Sequence, residues 1–186
     1  MLRSLSAIAS LCIALLGMAQ PVAPTSEAGL TIVRVVHAPL NAVKMYDQAL
    51  AAWKWTFGQE PGATLHRSDR TNGSIEGNAR LNFRSAMLTM REETMGTVRY
   101  RVSVQVKAGE CRVQVSELVH TGNRQAMRGG SDVGLIVRGE GPLQKVRGMG
   151  RSNAVRLHHE VRTVATERIQ TLLQQFEARI RSQAAE

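Results

Sequence analysis

The sequence predicts an α+β fold: an antiparallel sheet with two helices on one face and water on the other. Three observations carry this expectation. Val98, Tyr100, Val102, Val104 and Val106 alternate with Arg99, Arg101, Ser103, Gln105 and Lys107. A period of two with β-branched residues on one side marks a half-buried strand. Five strand-like runs and two helically periodic segments follow in the order β-α-β-β-β-β-α. The water-facing positions are polar and rich in basic residues, so one face of the sheet is left uncovered.

Ahead of the first strand, Met1-Leu2-Arg3 leads into an apolar run from Leu5 to Met18 that ends in Gly17-Met18-Ala19. Small residues at −3 and −1 of a cut after Ala19 are the pattern of a secretory signal peptide, expected at 1–19. The run is shorter than the ~20 apolar residues a membrane-spanning helix needs. The expected product is therefore exported, periplasmic or secreted, with no membrane span after cleavage. It keeps 167 residues, enough for one domain with a real core. Residues 20–30 read as a Pro/Ala/Ser linker and 31–184 as a single domain. Cleavage removes Cys12 and leaves Cys111 as the one cysteine, so packing rather than an internal disulfide must hold the fold. Free cysteine is usually buried, which favours a core role for Cys111 over a dimerising thiol.

Strand one is expected at Thr31–His37. Helix one follows Pro39, with Asn41 as N-cap. Val43, Tyr46, Leu50, Trp53 and Phe57 form its stripe, and Gly58 is the stop. Strand two is short, Thr64–Ser68. Asp69 to Gly73 is turn chemistry, because Asp and Asn close local hydrogen bonds and Gly accepts positive φ. Strand three, Ser74–Arg84, turns Ile75, Gly77, Ala79, Leu81 and Phe83 inward. The small Gly77 and Ala79 predict a bulge or the close approach of a helix. Met87–Met95 connects to strand four, Thr97–Lys107, and Ala108-Gly109 turns it into strand five, Cys111–Val119. Residues 120–152 hold eight of the sixteen glycines, six basic residues and two acidic ones. A loop of that length is commonly either disordered or functional, and Val133–Val137 has the character of a short edge strand. The last segment, Asn153–Ala184, is a helix with Leu157, Val161, Val164, Ile169, Leu172, Phe176 and Ile180 at its period. Its reach of ~45 Å predicts an end that overhangs the sheet.

Within residues 31–120, Lys44-Met45-Tyr46 precedes Trp53 in the first helix. Asp69, Gly73, Ile75 and Gly77 occupy the next turn and strand, Tyr100 the fourth strand, and Lys107-Ala108-Gly109-Glu110-Cys111-Arg112 a hairpin. In these features the chain resembles an exported, Bacteroidota-type domain of unknown function with a TBP-like fold. The resemblance implies a curved antiparallel sheet in the order β-α-β4-α with both helices on one face. That family carries an aromatic residue near the position of Cys111, and this chain departs from the pattern there. The family has no assigned activity, so the resemblance brings no catalytic residue.

Catalytic and cofactor motifs are absent from the sequence. His158 and His159 are adjacent and point ~100° apart on a helix, unlike an i, i+4 metal pair. Neither HExxH nor CxxC occurs. Gly73-Ser74-Ile75-Glu76-Gly77 has its serine in the wrong place for a nucleophile elbow. The paired glycines of 139–141 and 148–150 lack the rest of a nucleotide cradle. The expectation is accordingly a non-enzyme without cofactor or metal. The alternative, an envelope hydrolase, needs a pocket that groups His66 or His120 with Asp69.

The outward sheet face is the candidate site. Arg80, Arg84, Arg99, Arg101, Lys107 and Arg112 are expected to cluster there beside Asn82 and Gln105. Guanidinium forks next to amides suit phosphate, sulfate or carboxylate. The net charge of +9, or +8 once Arg3 is removed, points the same way. The expected partner is an anionic ligand or an envelope protein. Export, and the lack of aromatic residues at outward strand positions, argue against nucleic acid. A homo-oligomer through the sheet edge or the last helix is left open.

Overall fold

The computed structural model describes residues 28–88 and 91–184. The expected signal peptide and most of the expected linker lie outside the described residues. The element order is β1 (Ile32–His37), α1 (Ala42–Trp55), β2 (Thr64–Asp69), β3 (Ser74–Phe83), β4 (Gly96–Lys107), β5 (Glu110–Gly122), β6 (Gly134–Leu135) and α2 (Arg151–Ala184). The sheet runs β1-β5-β4-β3-β2, antiparallel throughout, and β6 pairs with β5 beyond the start of β1. Both helices pack on one face, so the expected α+β architecture is present, with one strand more than the sequence reading placed in the sheet.

The core is built from alternation on the strands and a stripe on each helix. Ile75, Val98, Tyr100, Val102, Val104, Val113 and Val115 turn inward and meet Met45, Ala49, Trp53, Leu157, Val161, Ile169, Leu172 and Phe176. The Asn41 side chain accepts the Lys44 N–H at 2.9 Å and starts α1 as expected. Tyr46 and Trp53 of the expected α1 stripe are buried, but the stripe does not begin at Val43. Met45 is buried and Val43 is 55% exposed, because the buried face consists of Met45, Tyr46, Ala49, Ala52 and Trp53. Phe57 falls in a 3-10 turn after the helix and stays buried. Gly77 does mark a close helix approach: a Cβ there would lie 2.6 Å from the Trp53 ring.

In α2, Ala165 is buried where Val164 was expected, and Val164 is partly exposed. The helix reaches Ala184, yet Ile180 is fully buried. The expected overhang is therefore not there: α2 lies against the body almost to its end. Glu160 of α2 fixes the β3–β4 connection, accepting from the Ser85 hydroxyl and the Ala86 and Met87 N–H groups.

Strand β5 runs three residues past the expected Val119. The pairing with β4 slips by one residue between Arg99 and Arg101, and Glu117 takes a φ of 55°. This bulge re-phases the strand, so that Leu118 and His120 turn inward. The segment after β5 is ordered against the body. Val133, Ile136, Val137, Val146 and Met149 are buried, and the expected edge strand at Val133–Val137 is observed as the two-residue β6. Two buried histidines hold this segment from opposite sides. His120 Nδ1 accepts the Val133 N–H at 3.3 Å, and His158 Nε2 accepts the Val137 N–H at 3.5 Å. Cys111 is fully buried, and burial raises its thiol to about 12, so it stays a protonated core group.

Candidate functional site

All eight expected site residues are exposed. Strand register places them in rows across the outer face. Arg80 of β3 is in register with Arg99 of β4, Asn82 with Thr97, Asn78 with Arg101, and Gln105 with Arg112 of β5. The eight do not form one cluster. Arg112 sits beside Gln105, six residues along β4 from Arg99, or ~20 Å at strand spacing.

The neighbours of each charge divide the face further. Arg101 is held between Glu117 at 3.2 Å and Glu76 at 3.3 Å, and these two carboxylates raise its pKa, Glu117 most. Glu117 reaches Arg101 because the β5 bulge turns it outward. A glutamate at a nominally inward position was the sequence signal that the alternation breaks there. Lys107 is in register with Glu110, and the Gln105 amide donates to the Asn72 carbonyl at 2.8 Å. On β2, Arg67 meets Asp69 at 3.1 Å. Asp69 also accepts the Asn72 backbone and side-chain N–H groups, and with Arg67 these hold its carboxyl at about 2. In this half Arg67 and Arg101 are ion-paired and Gln105 is hydrogen-bonded, while Lys107 and Arg112, among the described residues, form no ion pair.

The other end of the face carries a separate group: Arg80, Asn82 and Arg99, with Arg84 one residue past the end of β3. Among the described residues, no ion pair involves Arg80, Arg84 or Arg99. Arg80 leans toward the turn at Gly62, where a Cβ would lie 3.1 Å from its Nε; this glycine has a φ of 61° and leaves the guanidinium room. Like charges in register across two strands destabilise a sheet. An anion seated between them reverses that sign.

The face beneath is dry. Tyr100 points inward from β4, and its hydroxyl is raised by burial and by the nearby Glu60 carboxylate. Glu60 is itself buried against Arg168 of α2 at 2.5 Å. His120 is buried on β5, while Asp69 ends β2, with two strands between them, so the grouping a hydrolase reading needs is not formed by that pair. His66 is exposed on β2. Among the described residues, no three His, Cys, Asp or Glu side chains gather as a metal site would require. No helix among them is long and apolar enough to cross a membrane.

Sheet order and one-sided helices define an α+β protein with a TBP-like fold. Residues 34–121 match the model of a family described as a domain of unknown function (DUF4468) with TBP-like fold. The chain is similar to the crystal structure of a DUF4468 family protein from Bacteroides ovatus, with a TM-score of 0.53 and 16% identity over 82% of this chain and 89% of that one. It is also similar to a TBP-like protein from Parabacteroides distasonis, with a TM-score of 0.55 and 8% identity over 83% and 96%. At these identities the likeness establishes the fold alone. No curated protein matches the chain.

Proposed function

We propose that this chain is an exported, non-enzymatic binding module that takes an anionic ligand on the outer face of its sheet, at Arg80, Arg84, Arg99 and Asn82. The observation that carries this reading is the register pair Arg80–Arg99, two exposed cations without an ion-pair partner among the described residues, beside the Asn82 amide. Arg101, Lys107, Gln105 and Arg112 belong to the periphery, because Arg101 and Gln105 are engaged locally and Lys107 and Arg112 lie toward the far end of the sheet. A ligand with sulfate, phosphate or carboxylate groups matches two guanidinium forks and an amide. The export part of the reading rests on the leader-like sequence of residues 1–19.

Titration of the protein with dextran sulfate across a salt series tests the reading. The expected result is binding that weakens as salt rises and is lost in the Arg80→Glu/Arg99→Glu protein, with circular dichroism unchanged. Equal binding by the two proteins would refute it. Arg99→Glu alone carries a sharper expectation. It places a carboxylate opposite Arg80, so it should stabilise the free domain by about 0.2–1 kcal/mol in chemical denaturation while weakening binding. Loss of stability in that variant would contradict the unpaired-arginine account.

A further inference from the structure

The glycine-rich segment between β5 and α2 folds into two walls around a cleft of about 520 Å³. That size falls within the ~300–1,000 Å³ of small-ligand sites. One wall is formed by residues 129–135 and the other by 143–147. Both are fixed to the body. Ser131 N–H donates to the Glu93 carbonyl at 2.8 Å, and its hydroxyl donates to the Arg147 carbonyl at 3.2 Å, which also ties the walls together. Val133 N–H donates to buried His120, and the Arg91 guanidinium donates to the Gly148 carbonyl at 2.9 Å. Val146 anchors the second wall in the core. Gly129 and Gly134 take φ values of 73° and 75°, and a Cβ at either would meet nothing within 4 Å. Glycine is thus required there by the backbone path rather than by crowding, and the path keeps the cleft open.

Charge and apolar surface are both present in the lining. Arg124, Lys145 and Arg147 face a single carboxylate, Asp132. Asp132 is already engaged by the Gly122 N–H at 2.8 Å and by Arg124 at 3.5 Å. Lys145 and Arg147 are exposed and, among the described residues, form no ion pair. Val133, Leu135 and Leu143 supply aliphatic surface beside them. A cleft with fixed walls, a cationic excess and apolar lining concentrates anions and holds an apolar body out of water.

We propose that this cleft is a second binding site, separate from the outer sheet face, for a small organic anion: an oxyanion head toward Lys145 and Arg147 with a compact apolar body against Leu135 and Leu143. The test is fluorescence titration of the full chain with 1-anilinonaphthalene-8-sulfonate, followed by displacement with octanoate, octyl phosphate, 1-octanol and inorganic phosphate. Saturable binding near one equivalent is expected. Displacement by octanoate or octyl phosphate should be at least tenfold more effective than by 1-octanol or inorganic phosphate, and the stronger of the two identifies the head. Lys145→Glu/Arg147→Glu should raise Kd at least tenfold, as should Leu143→Trp, which fills the mouth without changing charge. The Arg80→Glu/Arg99→Glu protein should bind as wild type does, so failure here and failure at the sheet face are read separately. No saturable binding, equal displacement by 1-octanol, or full affinity in either cleft variant would overturn the proposal.

Discussion

Trp53→Ala is expected to lower the stability of this domain by about 3–5 kcal/mol, read as a fall in the urea midpoint at unchanged slope. The indole is 4% exposed and fills the space between α1 and the sheet. Two glycines make that space. A Cβ on Gly77 would lie 2.6 Å from the ring and 2.7 Å from the Thr64 carbonyl, and one on Gly58 would lie 3.2 Å from the ring. No small side chain collapses into such a gap, so truncation leaves a cavity as well as the lost transfer energy. Gly77→Val probes the same contact from the strand side and should also destabilise, because backbone stands opposite and cannot give way. Trp53→Phe should cost less than Trp53→Ala. It keeps most of the ring and removes an indole N–H that has no hydrogen-bond partner among the described residues. A wild-type midpoint in Trp53→Ala would show that α1 does not pack as described.

Acidification from pH 7 to pH 4 is expected to remove several kcal/mol of stability, most of it through His120 and His158. Both are fully buried, and burial lowers each from the ordinary 6.5 to about 4. Around His120, the Asp132 charge and the polar Thr94 backbone pull upward, but burial outweighs them. Around His158, Arg162 and His159 add to the lowering. A histidine depressed in the folded state is neutral in both states above 6.5 and costs nothing there. As pH falls from 6.5 to 4, the unfolded chain takes up the proton first, so stability is lost across that window and levels off below it. At about 1.4 kcal/mol per pH unit, His120 alone accounts for about 3 kcal/mol. Asp69 and Glu93, lowered by their hydrogen bonds, act in a more acidic window, below their ordinary values. The segment from Val133 to Val137 should loosen first, since both histidines accept hydrogen bonds from it and a protonated imidazole cannot. Denaturation curves at half-unit steps, with hydrogen exchange at Val133 and Val137, measure this. Stability that is flat between pH 6.5 and 5 would contradict it.

The strands and the order of elements were legible in the sequence because alternation reports burial directly. Thr97–Lys107 read correctly at every position, and so did the Asn41 cap and the Gly73 turn, but not the Gly58 stop. Helix α1 ends at Trp55 with Thr56 as its cap, and Gly58 lies within the 3-10 turn without a positive φ. Errors arose where a local rule was broken by a tertiary demand. Val43 fits a helical stripe by spacing, but α1 is rotated so that Met45 faces the sheet. The β5 bulge at Glu117 shifted everything after it by one position, which hid both the inward His120 and the outward Glu117–Arg101 pair. That pair also explains why the arginines were visible as a set but not as a site. Sequence spacing shows which residues share a face, whereas cross-strand register decides which cations already have a carboxylate. The glycine-rich segment was visible only as composition, because its walls are held by Ser131, His120, Arg91 and Val146 through contacts remote in sequence.

The proposed role of the outer face is tested most directly by an amide NMR titration with inorganic pyrophosphate. The account predicts saturable, salt-sensitive shifts at residues 80–84 and 97–99, with little change at Arg112 and Lys107 on the far part of the sheet. Shifts spread evenly over all the exposed basic residues, or none at Arg80 and Arg99, would contradict it.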